Sequence, residues 1–115
     1  MIKASIFYPC VPDATFGPGG TFDLEYYIKK HYPLCMEKFG DAMKGWSVDK
    51  GVSGLTDGEA PTYQIIGHVW FESLEAFHAA FAAAGEALLA DMPNYTKIAP
   101  TIQISEVIAD HAPMA

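Results

Sequence analysis

The stretch Asp23-Leu24-Glu25-Tyr26-Tyr27-Ile28-Lys29-Lys30-His31-Tyr32-Pro33-Leu34-Cys35-Met36-Glu37-Lys38-Phe39-Gly40 decides how this chain folds. Asp23 is a good N-cap, Phe22 and Tyr27 stand at the spacing of a hydrophobic staple, and Gly40 is a stop. A helix from Leu24 to Phe39 is therefore predicted. On a wheel of about 100° per residue, Leu24, Tyr27, Ile28, His31, Leu34, Cys35 and Phe39 fall in one stripe roughly 140° wide. Glu25, Lys29, Lys30, Tyr32, Met36 and Glu37 fall outside it. Pro33 lies almost opposite the centre of the stripe. A mid-helix proline costs about 3 kcal/mol or more through a lost hydrogen bond and a ring clash. On the outer face the freed Lys29 carbonyl can take water and the helix can bend around the core. One kinked helix is expected, with His31 centred on its buried face.

Outward from this helix the rest of the chain falls into place. Ile2 to Tyr8 is apolar on alternate residues and ends at Pro9, which predicts the first strand. Pro12 to Gly20 is a loop by its glycine and proline content, suited to a mobile lid or simply to a long connection. Met43 to Gly54 should hold the second strand, with Lys44, Trp46 and Val48 on one face, and Thr56 to Pro61 a polar turn. Tyr63 to Phe71 is the third strand, with faces Tyr63, Ile65, Gly67, Val69, Phe71 and Gln64, Ile66, His68, Trp70. Ser73 should cap a second helix from Leu74 to about Ala90, whose stripe is Leu74, Phe77, Phe81, Gly85 and Leu88. Its opposite face carries Ala76, Ala79, Ala80, Ala83 and Ala87, a solvated surface of high helix propensity or a helix contact in an oligomer. A last strand should run from Thr101 to Ile108.

The order β-α-β-β-α-β predicts one α+β domain over residues 1–115, a ferredoxin-like four-stranded antiparallel sheet with both helices on one face. Neither face of the third strand is polar throughout, so both should be covered. Two helices cover only one. The other face must meet a second subunit or enclose a ligand space.

Composition agrees. Half the residues are apolar and only 18% charged, more apolar surface than a 115-residue domain easily hides. The net charge is −7 and no basic cluster exceeds Lys29-Lys30, so nucleic acid and anionic membranes are not expected partners. No run approaches the ~20 apolar residues of a membrane span. The opening Met1 to Pro9 already reads as strand, which leaves no signal peptide; a cytoplasmic protein with Cys10 and Cys35 as reduced thiols is expected. Neither the cysteines nor the histidines have metal-ligand spacing, and Gly17-Pro18-Gly19-Gly20 lacks the GK[ST] of a phosphate loop. No metal or other cofactor is expected.

Chemistry is concentrated at His31. A buried imidazole needs partners for one donor and one acceptor. Either it bonds a carbonyl or a tyrosine and only fixes the helix, or it is a general base or acid in a cleft. Tyr27, one turn earlier on the stripe, could orient it or bind a substrate oxygen. Tyr8, Phe16, Phe22, Tyr27, Trp46, Trp70, Phe77 and Tyr95 come from different elements and form either an ordinary aromatic core or the wall of a flat apolar pocket. Tyr8, Phe22, Trp46, Trp70 and Tyr95 are the candidate substrate contacts. His68 could face a space between subunits or be structural, His78 should pack, and Cys35 should be inert.

Several segments resemble the EthD family of the dimeric α+β barrel superfamily. They are Tyr8-Pro9, Thr21 to Tyr27, His31-Tyr32-Pro33-Leu34, Phe71 to Phe77, Ala90-Asp91-Met92-Pro93-Asn94-Tyr95-Thr96 and Pro100 to Val107. Tyr32 stands where the family more usually has methionine, and the loop before Phe22 is longer and richer in glycine than is common. The resemblance implies a homodimer whose two sheets pack face to face, with a cleft between sheet and helices near His31. The family is named for ethyl tert-butyl ether degradation; related proteins include cofactor-free monooxygenases on phenols, cyclases and lactone isomerases. The larger haem proteins of the superfamily are a poor match. The expected function is catabolism of a small apolar or aromatic oxygenated compound, with His31 and Tyr27 as catalytic residues in cofactor-independent proton transfer or monooxygenation. The alternative is a non-catalytic ligand-binding or accessory protein whose His31 is structural.

Overall fold

The computed structural model describes residues 1–111, in which the chain runs β1 (Ile2–Pro9), α1 (24–39), β2 (Gly45–Lys50), β3 (Tyr63–Phe71), α2 (Leu74–Asp91) and β4 (Thr101–Glu106). The strands form an antiparallel sheet in the order β2-β3-β1-β4. This is the expected ferredoxin-like arrangement. Both helices pack on one face, where Ala4, Tyr8, Ile65, Val69 and Phe71 are buried. β2 is shorter than the 43–54 expected, because beyond Lys50 only the Gly51 amide still reaches β3, at the Gln64 carbonyl. β4 stops at Glu106, not Ile108: its neighbour β1 begins at Ile2, and past the Val107 amide on the Met1 carbonyl it has no strand to pair with.

The first helix departs from the wheel in an instructive way. Asp23 caps it as expected, accepting from the Tyr26 amide at 3.1 Å, and Phe22 meets Tyr27 edge-on at 4.9 Å. After one α-turn, Leu24–Tyr26, the segment Tyr27–His31 is a π-turn, closed by the Tyr32 amide on the Tyr27 carbonyl five residues back. The α-helix resumes over Tyr32–Phe39 and ends at Gly40, whose φ of 57° only glycine adopts freely. The π-turn ends directly before Pro33, which has no amide to donate and whose ring would press on the Lys29 carbonyl in an unbroken α-helix. A wide turn, not the expected simple kink, accommodates the proline.

One extra residue in that turn rotates everything around it. Tyr32, expected outside the stripe, is buried at 1% exposure, while Ile28, expected inside it, is 38% exposed. Tyr27, His31 and Cys35 remain inside, and Pro33 stays outside.

α2 begins at the Ser73 cap, which accepts from the Ala76 amide at 3.0 Å. Its second half packs through Ala84, Gly85 and Leu88. In its first half Phe77 meets Phe71 of β3 edge-on at 5.2 Å, whereas Leu74 is 47% and Phe81 36% exposed, against the expectation that both are core. Ala79, Ala83 and Ala87 face solvent in the single chain, and so does His78. The loop before α1 is a stitched connection: Thr15 and Thr21 exchange amide-to-hydroxyl bonds at 2.8 and 3.0 Å. No helix among the described residues is long and apolar enough to cross a membrane.

Candidate active site

One side of α2, the inner face of the sheet and the π-turn of α1 line a cavity of about 290 Å³. Its walls are almost wholly apolar: Ala4, Ile6, Val69, Phe71, Phe77 and Leu88 are typical, with Phe81, Leu89 and Ile102 half-open to solvent. Into this surface project His31 and the phenols of Tyr8, Tyr27, Tyr32 and Tyr95.

His31 is 8% exposed and holds a specific partner. Its Nδ1 lies 2.9 Å from Oδ2 of Asp91, the last residue of α2. The other carboxylate oxygen accepts from the Tyr26 hydroxyl at 2.7 Å and from the Asn94 amide at 2.9 Å. An ionised carboxylate only accepts, so Nδ1 carries the proton and Nε2 the lone pair. Among the described residues Nε2 takes no hydrogen bond, which leaves it as the ring's open position at the cavity wall. The imidazole lies parallel to Tyr27, with ring centres 5.5 Å apart and planes 9° apart, and touches Tyr95 at 4.7 Å.

The charges follow from this geometry. Burial lowers the His31 pKa from 6.5, and Asp91 only partly restores it, so the ring is neutral and basic at neutral pH. Burial acts to raise Asp91, but the hydrogen bonds from His31, Asn94 and Tyr26 outweigh it and hold the carboxyl below 3.8. Burial pushes the Cys35 thiol, also on the cavity, up to about 12, so it stays protonated. Burial likewise raises Tyr8 to about 12 and moves Tyr27, Tyr32 and Tyr95 upward.

The seven residues expected at the site separate into two groups. His31, Tyr27, Tyr8 and Tyr95 meet on the cavity. Phe22 is fully buried behind the wall, edge-on to Tyr8 and Tyr27. Trp46 stacks on Tyr32 at 4.6 Å and does not reach the cavity, and Trp70 stands on the opposite face of the sheet beside His68. Three contributors went unrecognised in the sequence. Asp91 is an acid at a helix C-terminus, where the helix dipole disfavours it; that local conflict is a readable signal of tertiary use. Tyr32 was hidden by the π-turn. Gly67 is required because a Cβ there would collide with the hydroxyls of both Tyr27 and Tyr32.

On the outer face His68 is also bonded, through Nδ1 to the Ser5 hydroxyl at 2.8 Å and through Nε2 to Asp49 at 3.0 Å. Both of its nitrogens are occupied. Among the described residues no group of three His, Cys, Asp or Glu side chains is placed to hold a metal ion.

No family model and no curated protein matches the chain. Solved structures do. HapK from Hahella chejuensis aligns over 98% of this chain and 99% of its own at a TM-score of 0.56 and 11% identity, a likeness of fold alone. An ethyl tert-butyl ether degradation (EthD) family protein from Bacillus halodurans aligns over 94% and 99% at a TM-score of 0.70 and 18% identity, again a likeness of fold. An EthD-like protein from Ralstonia eutropha aligns over 96% of this chain and 95% of its own, at a TM-score of 0.86 and 34% identity. With a third of its residues shared over nearly the whole length of both molecules, the chain belongs to the EthD-like family.

Proposed function

We propose that the protein binds a small apolar or aromatic oxygenated compound in the His31 cavity, and that His31 removes a proton from it. The observation that carries this reading is the pairing of His31 Nδ1 with Asp91 while Nε2 stays open on an apolar cavity of about 290 Å³. A buried carboxylate that fixes the tautomer makes Nε2 a general base aimed at the cavity. An apolar wall suits a flat, mostly hydrocarbon ligand and excludes bulk water from the transfer. Tyr27, parallel to the imidazole, lines the same wall and holds the ring in place. A phenolic hydroxyl, or a carbon next to a carbonyl, has a proton that such a base can take.

Calorimetric titration with phenol tests this. One ligand per chain is expected, and His31→Ala should weaken binding about tenfold with the fold intact by circular dichroism. Binding unchanged in that variant would return His31 to a purely structural role.

The same reading includes a homodimer. The outer sheet face leaves Ile66 and Trp70 only half-buried in a single chain, and a dimeric α+β barrel would cover them with the same face of a second copy. Light scattering should give twice the mass of the chain, and a clean monomer at micromolar concentration would remove this part.

A further inference from the structure

We propose that Tyr26 and Asn94 are positioning residues for His31, clamping Asp91 so that one carboxylate oxygen stays turned to the imidazole. The π-turn of α1 is what brings Tyr26 and His31 to the same carboxylate. The inference rests on the reading of His31 as the base, and it names the residues that keep the base in its working tautomer.

Asp91 needs holding. It is the last residue of α2, where the aligned peptide dipoles disfavour a negative side chain, so its own helix does nothing to favour the carboxylate there. Its side chain is 12% exposed and, untied, would be free to turn its oxygens to water. Two donors meet it instead on Oδ1, the Tyr26 hydroxyl at 2.7 Å and the Asn94 side-chain amide at 2.9 Å. With Oδ1 taken by both, Oδ2 lies 2.9 Å from Nδ1 of His31. Asn94 reaches Asp91 from the short turn directly after α2, and Tyr26 reaches it from the first turn of α1, so two separate elements grip the carboxylate. Hydrogen bonds to a charged acceptor are the stronger kind. Tyr26 is itself braced. Its ring lies near Tyr95 with planes 24° apart and centres 6.4 Å apart, and Lys30 Nζ stands 5.6 Å from its ring centre.

Tyr26 and His31 are five residues apart. In an unbroken α-helix, at about 100° per residue, their side chains would leave the axis roughly 140° apart, on different sides. The π-turn over Tyr27–His31 lies between them and closes five residues back, not four, with the Tyr32 amide on the Tyr27 carbonyl. Residues five apart then stand one turn apart on the same side, and the two oxygens of Asp91 bridge them. The turn that accommodates Pro33 thus also aligns the clamp with the base it serves.

Nitrogen-15 NMR of the imidazoles at neutral pH reads the clamp. Native His31 should be in the Nδ1–H form. Tyr26→Phe keeps the ring and removes one oxygen, and Asn94→Ala, at an exposed position, removes the other donor. Each should admit some of the Nε2–H form. The double variant should show a mixture of both tautomers and bind phenol about tenfold more weakly, with the fold intact by circular dichroism. His68, bonded to Ser5 and Asp49, should be unmoved in the same spectra. A merely structural tie would lower the melting temperature and leave the tautomer alone. Persistence of the pure Nδ1–H form in the double variant overturns the clamp and leaves His31 standing as the base. A native His31 already in the Nε2–H form, or a native protein that binds no phenol, overturns the base and the clamp with it. Either single variant carries the test if the other fails to fold.

Discussion

His31 and His68 each hydrogen-bond an aspartate, at 2.9 Å to Asp91 and 3.0 Å to Asp49, on opposite sides of the same sheet. What differs is what surrounds each pair. The Asp91 side chain is 12% exposed and its carboxylate accepts from three donors, whereas the Asp49 side chain is 61% exposed. His68 gives its second nitrogen to Ser5, and His31 leaves its second nitrogen on the cavity. The same two residue types thus make a cross-strand tie on one side and, on the other, a pair whose imidazole keeps one nitrogen without a protein partner among the described residues. The proposed chemistry rests on the unoccupied nitrogen and the space beside it, not on the histidine–aspartate contact as such.

The sharpest way to break this contrast is at neighbouring positions of β3 that point to opposite faces. Gly67→Val should destabilise the protein by about 3 kcal/mol, because its side chain would overpack a strand lying against two buried phenols. Ile66→Val, next door on the outer face, should cost only about 1 kcal/mol. Chemical denaturation of the two variants measures both, and comparable losses would mean that the tyrosine side is not tightly built.

Substitution of the two aspartates comes next. Asp91→Asn removes a charged acceptor from three hydrogen bonds and should cost about 2 kcal/mol, along with loss of the fixed Nδ1–H tautomer of His31. Asp49→Asn, on an exposed side chain, should change stability by less than about 0.5 kcal/mol. Equal effects in thermal melts would erase the distinction drawn above.

Much of this was legible in the sequence. The six elements, the Asp23 and Ser73 caps, the Gly40 stop and the two faces of β3 all follow from local patterning, because capping and alternation are short-range physics. The phase of α1 was not legible. A wheel assumes one angle per residue, and Pro33 made the chain insert a π-turn, which moved Tyr32 inward and Ile28 outward. The site was half legible for a different reason. His31, Tyr27, Tyr8 and Tyr95 are conspicuous as residue types, whereas Asp91 acts through a contact with a histidine 60 residues away that no local pattern records. Trp46 and Trp70 were drawn in by aromatic character alone, and the sheet sends them elsewhere.

Acid should act through the inner pair. The folded His31 value is lowered from 6.5, so the unfolded chain binds the proton first as pH falls. The stability contributed by the neutral ring is complete above pH 6.5 and lost as pH drops through the folded value. Asp91, lowered from 3.8, adds a loss of the same sign further into acid. Melts between about pH 5 and 7.5 should therefore fall toward acid in the native protein and fall less in His31→Gln; an unchanged slope would contradict the burial of a neutral ring.

The smallest effect belongs to the outer face. Ser5→Ala removes one neutral hydrogen bond to His68 and should cost about 1 kcal/mol or less, with phenol binding unchanged. A loss of binding would mean that the two faces are coupled.

The central claim is that His31 presents a bare Nε2 to the cavity, and nitrogen-15 NMR of the imidazole reads this directly. The account predicts Nδ1–H with an unprotonated Nε2 at neutral pH, and protonation of Nε2 when 4-nitrophenol is added. An Nε2–H tautomer in the free protein, or a ring whose nitrogens do not respond to the bound ligand, would contradict it.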